Sequence, residues 1–352
     1  MSDIAQATGV SVATVSRVLT GGASAIPIGA NTRTQVLRVA REMGYRPNVY
    51  ARSLRTKKSW FIGAIIWDLI DPYFSEILSG VQKALGESEH HLLLDTVESD
   101  ASKLISAIEW IESVHPAGLL LIGGPRLDAS DDRLSRVFSK LPTVLIGTRT
   151  EDSSVLSVTV DNFRTGVIGT EYCLSQSERT FRFLTFRDRT ADEEDRLEGT
   201  LKVLAEQEGI DPSEAVIELE RGVAQGYAVA REVIDQEEGP LSFFVNDDQS
   251  ALGVMRAAFD LGRTVPGDVA ILGCDNLGIG AYTTPRLSTV VQPRFEIGVR
   301  GAQLLLESIA DHSKESSSDQ DKEAPKSEQQ VTFMPSLLLR ESTDYEMRNI
   351  PS

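Results

Sequence analysis

The sequence predicts a small all-α head followed by an α/β body of two doubly wound subdomains. Three observations carry this reading. The first 58 residues hold nine basic side chains against Asp3 and Glu42, a net of +7, whereas the whole chain is −17, so the remainder carries −24. At Phe61 the apolar pattern changes from helical spacing to short continuous runs bounded by polar residues. Those runs then come in two successive series separated by amphipathic stretches, the pattern of two parallel sheets with helices on their faces and a cleft between them.

Length and composition set the outer bounds. At 352 residues the chain has room for two or three domains with real cores, and 41% hydrophobic with 25% charged residues places it among globular proteins. No apolar run approaches the roughly 20 residues that cross a bilayer. The opening Met1-Ser2-Asp3-Ile4-Ala5-Gln6 lacks the basic and apolar regions of a signal peptide. Cys173 and Cys274 lie in apolar contexts without a spaced motif and read as buried, reduced thiols of a cytoplasmic protein. His90, His91, His115 and His312 show no ligand spacing. Neither a metal nor another cofactor is expected.

In the head, Ile4, Ala5, Val10, Val15, Val18 and Leu19 form two short apolar patterns at helical spacing, interrupted at Thr8-Gly9-Val10. Asp3 suits the first turn of one helix, Gly9 the tight turn after it, and Ser11 the N-cap of a second helix from Val12 to about Leu19. Two short helices joined by such a turn make a helix-turn-helix, whose second helix enters the DNA major groove. Val12, Ala13, Ser16 and Arg17 would project outward. The small residues allow close approach to thymine methyls, and Arg17 can fork onto guanine. A third helix, about Thr32 to Met43, has Val36, Val39, Ala40 and Met43 as its core stripe and Arg33, Arg38 and Arg41 on its basic side, with Gly44 ending it. In the loop before it, Gly21 to Ala30, backbone amides and the adjoining Asn31 are candidate phosphate contacts.

In the body, Phe61–Trp67 reads as a buried parallel strand and Phe74–Leu85 as the following helix. His91–Asp95, Gly118–Ile122, Thr143–Ile146 and Val155–Val160 repeat the strand role, and Phe181–Phe186, Leu241–Val245 and Val269–Gly273 begin the second series. Ligands in such sheets sit beyond the carboxyl ends of the strands. The residues there are polar: Asp68 with Tyr73 and Phe74, then Arg187 to Arg196, Asn246-Asp247-Asp248, and Asp275-Asn276. Carboxylates, an arginine and aromatic rings converging in a cleft suit a sugar or polyol. Asp247, Asp248 and Asp275 also admit an acid/base role in a carbohydrate-active enzyme, although no nucleophile motif or phosphate loop accompanies them.

The motifs Val12-Ala13-Thr14-Val15-Ser16-Arg17-Val18-Leu19, Thr32-Arg33, Gly44-Tyr45-Arg46-Pro47-Asn48 and Ala51-Arg52-Ser53-Leu54-Arg55 resemble, in order, those of the lactose/galactose repressor (LacI/GalR) family of bacterial transcriptional regulators. The resemblance extends through Asp161-Asn162, Arg196-Leu197-Glu198-Gly199, Asn246-Asp247-Asp248-Gln249, Gly273-Cys274-Asp275-Asn276 and Pro285 to Pro293. It implies periplasmic-binding-protein-like subdomains and a hinge, Asn48 to about Arg55, that is helical only when two subunits meet on DNA. Leu54 would be the wedge inserted into the minor groove. With Ser11, Val12, Ala13, Ser16, Arg17 and Asn31, the resemblance implies a DNA face that includes Thr14, Tyr45, Asn48, Ala51, Arg52 and Leu54. It makes Arg196, Asp247 and Asp275 the leading effector contacts, with Asp68, Tyr73, Phe74, Arg221 and Gln292 as further lining.

The chain departs from the family pattern at several places. It starts almost at the first helix, as expected if its start lies downstream of the family's usual one or if the head binds DNA more weakly. The loop after the second helix is longer than in the lactose repressor. At Asp247 several relatives carry Asn, and an ionised Asp accepts only, so the effector is expected to present an extra donor or a cation. Gly147 stands where the lactose repressor has an acid.

The expected domains are a head over 1–46, a hinge over 47–59, an N-terminal subdomain over 60–160 and 291–312, and a C-terminal subdomain over 161–290 and 331–343. Between them, His312 to Gln330 has no apolar period and is expected to form an acidic, disordered surface insertion over 313–330, and Ser336–Thr343 is strand-like. No leucine heptads follow, so the expected assembly is a homodimer on double-stranded, near-palindromic operator DNA, without a membrane partner. The expected function is an effector-controlled repressor. The alternatives are a sugar-binding protein without a regulatory role and, more remotely, the enzyme.

Overall fold

In the computed structural model, parallel strands buried on both faces build the body, as continuous apolar runs require. The structure describes residues 1–20, 28–45, 59–86, 88–128, 130–176, 178–315 and 329–344. It divides into two units, Met1–Trp60 and Phe61–Ser352.

The first unit contains α1 (Ser2–Thr8), α2 (Val12–Thr20) and α3 (Ala30–Glu42). Gly9 ends α1 in the left-handed conformation at φ 69°, which only a residue without Cβ adopts freely. Ile4, Ala5, Val15, Val18, Val36, Val39 and Ala40 form the core, with Val10, Leu19, Leu37 and Tyr45 packed against it. Two expectations need correction. Met43 is half exposed rather than in the core stripe, because the helix has already ended at Glu42. Ala30 and Asn31 lie inside the first turn of α3 rather than in or beside a loop, since the helix starts at Ala30. The expected hinge over 47–59, including Asn48, Ala51, Arg52 and Leu54, lies outside the described residues except for Ser59.

Among the described residues the second unit has two six-stranded sheets. The first contains β1 (Phe61–Ile66), β2 (His91–Thr96), β3 (Gly118–Ile122), β4 (Thr143–Ile146), β5 (Leu156–Val160) and β11 (Gln330–Phe333), in the order β11-β5-β4-β3-β1-β2. The second contains β6 (Thr180–Phe186), β7 (Val216–Leu219), β8 (Leu241–Val245), β9 (Val269–Asp275), β10 (Ser288–Val291) and β12 (Ser336–Leu338), in the order β12-β10-β9-β8-β6-β7. Among the described residues all strand pairings are parallel except that of β10 with β12. Each sheet therefore reverses its strand order beside its first strand, and the crevice at that switch point opens at the carboxyl ends.

Three helices matter for the site: α4 (Pro72–Leu85) after β1, α7 (Asn162–Ser175) after β5, and α8 (Ala191–Ala205) after β6. The backbones of α7 and α8 approach closely through glycines on both sides. A Cβ on Gly166 would stand 2.0 Å from the Arg196 carbonyl oxygen, and one on Gly199 would stand 2.0 Å from that of Phe163. Helix α11 (Asp248–Asp260) follows β8, and α12 (Arg294–Glu315) returns the chain to the first sheet.

The C-terminal course differs from expectation. Residues 330–333, assigned in sequence to the second subdomain and in part to the insertion, pair with β5 in the first sheet. Their alternating exposed and partly buried pattern is that of an edge strand, which does not specify which sheet receives it. Helix α12 extends to Glu315, so helix replaces the beginning of the expected insertion; residues 316–328 lie outside the described ones. Only Ser336–Leu338 of the strand-like Ser336–Thr343 is strand. The chain passes between the sheets at 161, 292–293 and 334–335, so the lobes are joined by short extended segments. Among the described residues no helix is long and apolar enough to cross a membrane.

Candidate functional site

The exposed end of α2 is the candidate nucleic-acid face of the head. The Ser11 hydroxyl accepts the Thr14 amide at 3.1 Å and pairs with the Thr14 hydroxyl at 2.9 Å, so it caps the helix as its sequence position suggests. Val12 and Ala13 are exposed, and Ser16 and Arg17 partly so, while Val15 and Val18 face the core. The Thr14 hydroxyl is engaged by this cap, and Tyr45 packs against the core, which gives both residues a structural role. Asn31 is exposed in the first turn of α3, where unpaired backbone amides favour an anion. Arg33, Arg38 and Arg41 are exposed, and Arg38 pairs with Glu42 at 2.8 Å.

The second site lies between the lobes of the body. Its cavity, about 40 Å³ of space open to water centres, is lined by Asp71, Tyr73, Phe74, Gly123, Gly147, Phe186, Thr190, Asp192, Glu193, Arg196, Arg221, Asn246, Asp247 and Asp275. Nearly all follow the carboxyl end of a strand, as the switch-point rule requires. By the usual measure of about 10–15 Å³ for one water this is room for a few waters.

Arg196 is the centre of the polar wall. It is buried on α8; Nη1 donates to the Asn246 carbonyl oxygen at 2.5 Å and to Oδ1 at 3.3 Å, and Nη2 donates to Asn162 Oδ1 at 2.8 Å. Among the described residues its Nε and the Asn246 Nδ2 are buried without a hydrogen-bond partner. Glu193 accepts the Thr190 amide in a capping box and receives both terminal nitrogens of Arg221 at 2.6 Å. Burial pushes the Glu193 carboxyl up, but the facing Arg221 guanidinium holds it below its ordinary value. Arg221 also stacks on Phe186, 4.2 Å from the ring centroid.

The aspartates have different duties. Asp71 caps α4 by accepting the Tyr73 amide at 2.9 Å, and burial raises its pKa to about 6. Asp247 caps α11 by accepting the Ser250 amide at 2.8 Å. Asp192 accepts from the Thr159 hydroxyl at 3.1 Å, across the lobe boundary. Burial raises the carboxyls of Asp192, Asp247 and Asp275. Asp275 sits at φ 107°, a conformation costly for a residue with Cβ, and accepts no side-chain hydrogen bond among the described residues. Asp248 is turned away: it accepts the Leu277 amide at 2.6 Å and the Thr289 hydroxyl at 2.8 Å, and burial pushes it up to about 7.

Of the predicted effector residues, Tyr73, Phe74, Arg196, Arg221, Asp247 and Asp275 meet in this cavity. Asp68 does not: it accepts the Ile70 amide and the Ser99 hydroxyl, which closes its own turn. Gln292 lies behind the wall, donating to Thr165 and Asn162, and so helps hold the acceptor used by Arg196. Asp71, Asp192 and Glu193 were missed. The signal for Glu193 was present as Thr190-Ala191-Asp192-Glu193, the spacing of a capping box after a strand. Asp192 also explains the departure at Gly147, because its Oδ2 would lie 3.2 Å from a Cβ there. Both cysteines are buried and free, as expected.

Comparison with known proteins covers both units. Residues 1–48 match the model for bacterial regulatory proteins of the lacI family, and residues 170–343 match that for a periplasmic binding protein-like domain. Catabolite control protein A of Staphylococcus xylosus is 29% identical over 303 residues, spanning 86% of this chain and 90% of the relative. Its namesake from Priestia megaterium is 27% identical over 305 residues, with the same shares. Among solved structures, the Lac repressor dimer bound to operator and the anti-inducer ONPF has a TM-score of 0.81 at 22% identity, covering 97% of this chain and 98% of that one. The transcriptional regulator CelR–cellobiose complex has a TM-score of 0.68 at 24% identity, covering 96% and 98%. These structural likenesses speak to the fold.

Proposed function

Since the chain belongs to the LacI/GalR family of bacterial regulators, we propose that it is a DNA-binding transcriptional repressor controlled by a small polar effector, a sugar or sugar derivative, bound between the lobes of its body. It acts as a homodimer in the cytoplasm, associated with the nucleoid, with each head on one half-site of a near-palindromic operator. Its work is binding and release rather than turnover.

The observation that carries the effector half is that Arg196 and Asn246, both lining the cavity, keep buried donors, Nε and Nδ2, without a hydrogen-bond partner among the described residues. Buried donors without partners are uncommon, and a ligand hydroxyl answers both. Asp247 and Asp275 supply acceptors, and Tyr73, Phe74 and Phe186 supply apolar faces for a ring. For the DNA half, Val12, Ala13, Ser16 and Arg17 read base edges, Ser11 and Asn31 contact phosphate, and the 47–59 segment with Leu54 serves as hinge and wedge. Effector binding changes lobe closure and thereby the hinges; a coupling of about 1–3 kcal/mol is usual for such regulators.

The test is selection of genomic DNA fragments by the full-length protein, followed by anisotropy titration of a selected site with and without candidate sugars. A near-palindromic site, affinity falling steeply with salt, and a sugar that changes that affinity are expected. Leu54→Ala weakens binding to the selected site while sparing non-specific DNA. Failure to enrich any sequence, or turnover of a bound sugar, would overturn the reading.

A further inference from the structure

The cavity wall carries more carboxyl groups than a neutral polyol needs, and burial disfavours their charged form unless a cation stands beside them. Glu193 is matched by the two-pronged contact from Arg221. Arg196 spends its terminal nitrogens on the neutral acceptors Asn246 and Asn162. Asp71, Asp192, Asp247 and Asp275 have no ion-pair partner of their own among the described residues: Arg149, Arg221 and Arg294, which bear on them, are paired with Asp195, Glu193 and Glu76. Asp71, Asp192 and Asp247 each have one oxygen engaged, Oδ1, by Tyr73 and Gln249, by Thr159 and by Ser250 respectively. Asp275 is 6% exposed and accepts no side-chain hydrogen bond among the described residues. Its carboxyl group lines the cavity and is open to a donor from a ligand. Among the described residues no three acidic, histidine or cysteine side chains are placed to hold a metal ion.

A hydroxyl both donates and accepts, whereas an ammonium donates three times, accepts nothing and brings positive charge. The unengaged carboxyl oxygens call for donors, and a cation beside them restores the charged form that burial disfavours. We propose that the effector is a polyhydroxylated amine, a sugar or polyol with a protonated amino group, whose ammonium lies against Asp275 and Asp247 while its hydroxyls take Arg196 Nε and Asn246 Nδ2. This rests on the cavity being the effector site and narrows what that site accepts.

The experiment is calorimetric titration of the full-length protein with glucosamine, galactosamine and mannosamine, each against its parent hexose, which differs only by hydroxyl for amine. At least one amine binds roughly tenfold or more tightly than its parent, as a charge-assisted contact requires. In Asp275→Asn that ratio falls to near unity; asparagine tolerates the positive φ, and an unchanged melting temperature shows that the variant folds. A parent hexose that binds as well as its amine, and loses binding in Arg196→Met, overturns the cation while leaving the effector site in place. If neither class binds the wild-type protein, the effector reading falls and the proposal with it.

Discussion

Asp195 decides how firmly the two lobes are held together, and its removal gives a quantitative forecast. This residue lies on α8 of the second lobe, yet its carboxylate pairs with Arg149 and, at 3.3 Å, with Arg126 from the first. The Ala191 amide donates to the Gly124 carbonyl oxygen at 2.9 Å beside them, so the start of α8 is fastened across the cleft. A hydrogen bond to a charged group contributes about 1.5–3 kcal/mol. Here the Asp195 side chain is 8% exposed but Arg126 and Arg149 are 45% and 31% exposed, so solvent screens part of the interaction. Taking about 2 kcal/mol for Asp195→Asn, the equilibrium between closed and open lobes shifts about 30-fold toward open. Small-angle scattering of the unliganded protein reads this as a larger radius of gyration. A thermal-unfolding double-mutant cycle with Arg149→Met isolates the coupling at about 1–2 kcal/mol. An unchanged radius together with a coupling near zero would refute the idea that these side chains hold the lobes together.

Other perturbations give separate checks. Gly199→Ala forces apart helices whose backbones are already in contact through that position; it lowers stability by about 1–3 kcal/mol, measured by urea denaturation. Ser11→Ala removes the cap of α2 and costs the head about 1 kcal/mol, visible as a lower melting temperature and weaker DNA binding. The folded pKa of Asp71, about 6, lies above the unfolded 3.8, so its contribution is fully present below the unfolded value and is lost as pH rises from about 4 through about 6. The loss is at most about 3 kcal/mol, and Asp71→Asn flattens the stability profile in that window. Arg221→Ala leaves Glu193 buried without its partner; stability falls by about 3 kcal/mol near neutral pH and partly recovers in acid as Glu193 protonates, which a pH series of unfolding curves detects.

The sequence by itself determined the repeating elements and the head. Gly118–Ile122, Thr143–Ile146 and Leu241–Val245 emerge with the same boundaries in both readings because a parallel strand buried on both faces is written as an unbroken apolar run. Ser11, Gly9 and the Val15–Val18 stripe were legible for the same reason: caps, turns and helical spacing are local properties. So was the placement of Arg196, Asp247 and Asp275 beside the cleft, since strand ends are visible in sequence and the fold gathers them. Only the tertiary structure decided what depends on partners far away in the chain. Asp68 and Asp71 look equally suitable after β1, but one closes a turn with Ser99 and the other reaches the cavity as a helix cap. Asp192 becomes part of the site because α8 crosses to Thr159 and the space over Gly147. The edge strand at 330–333 carries an alternation that fits either sheet, and the free edge of β5 receives it. Local periodicity fixes which residues form an element and which side is buried; long-range packing alone fixes the partner, and here the partner decides whether a carboxylate serves structure or ligand.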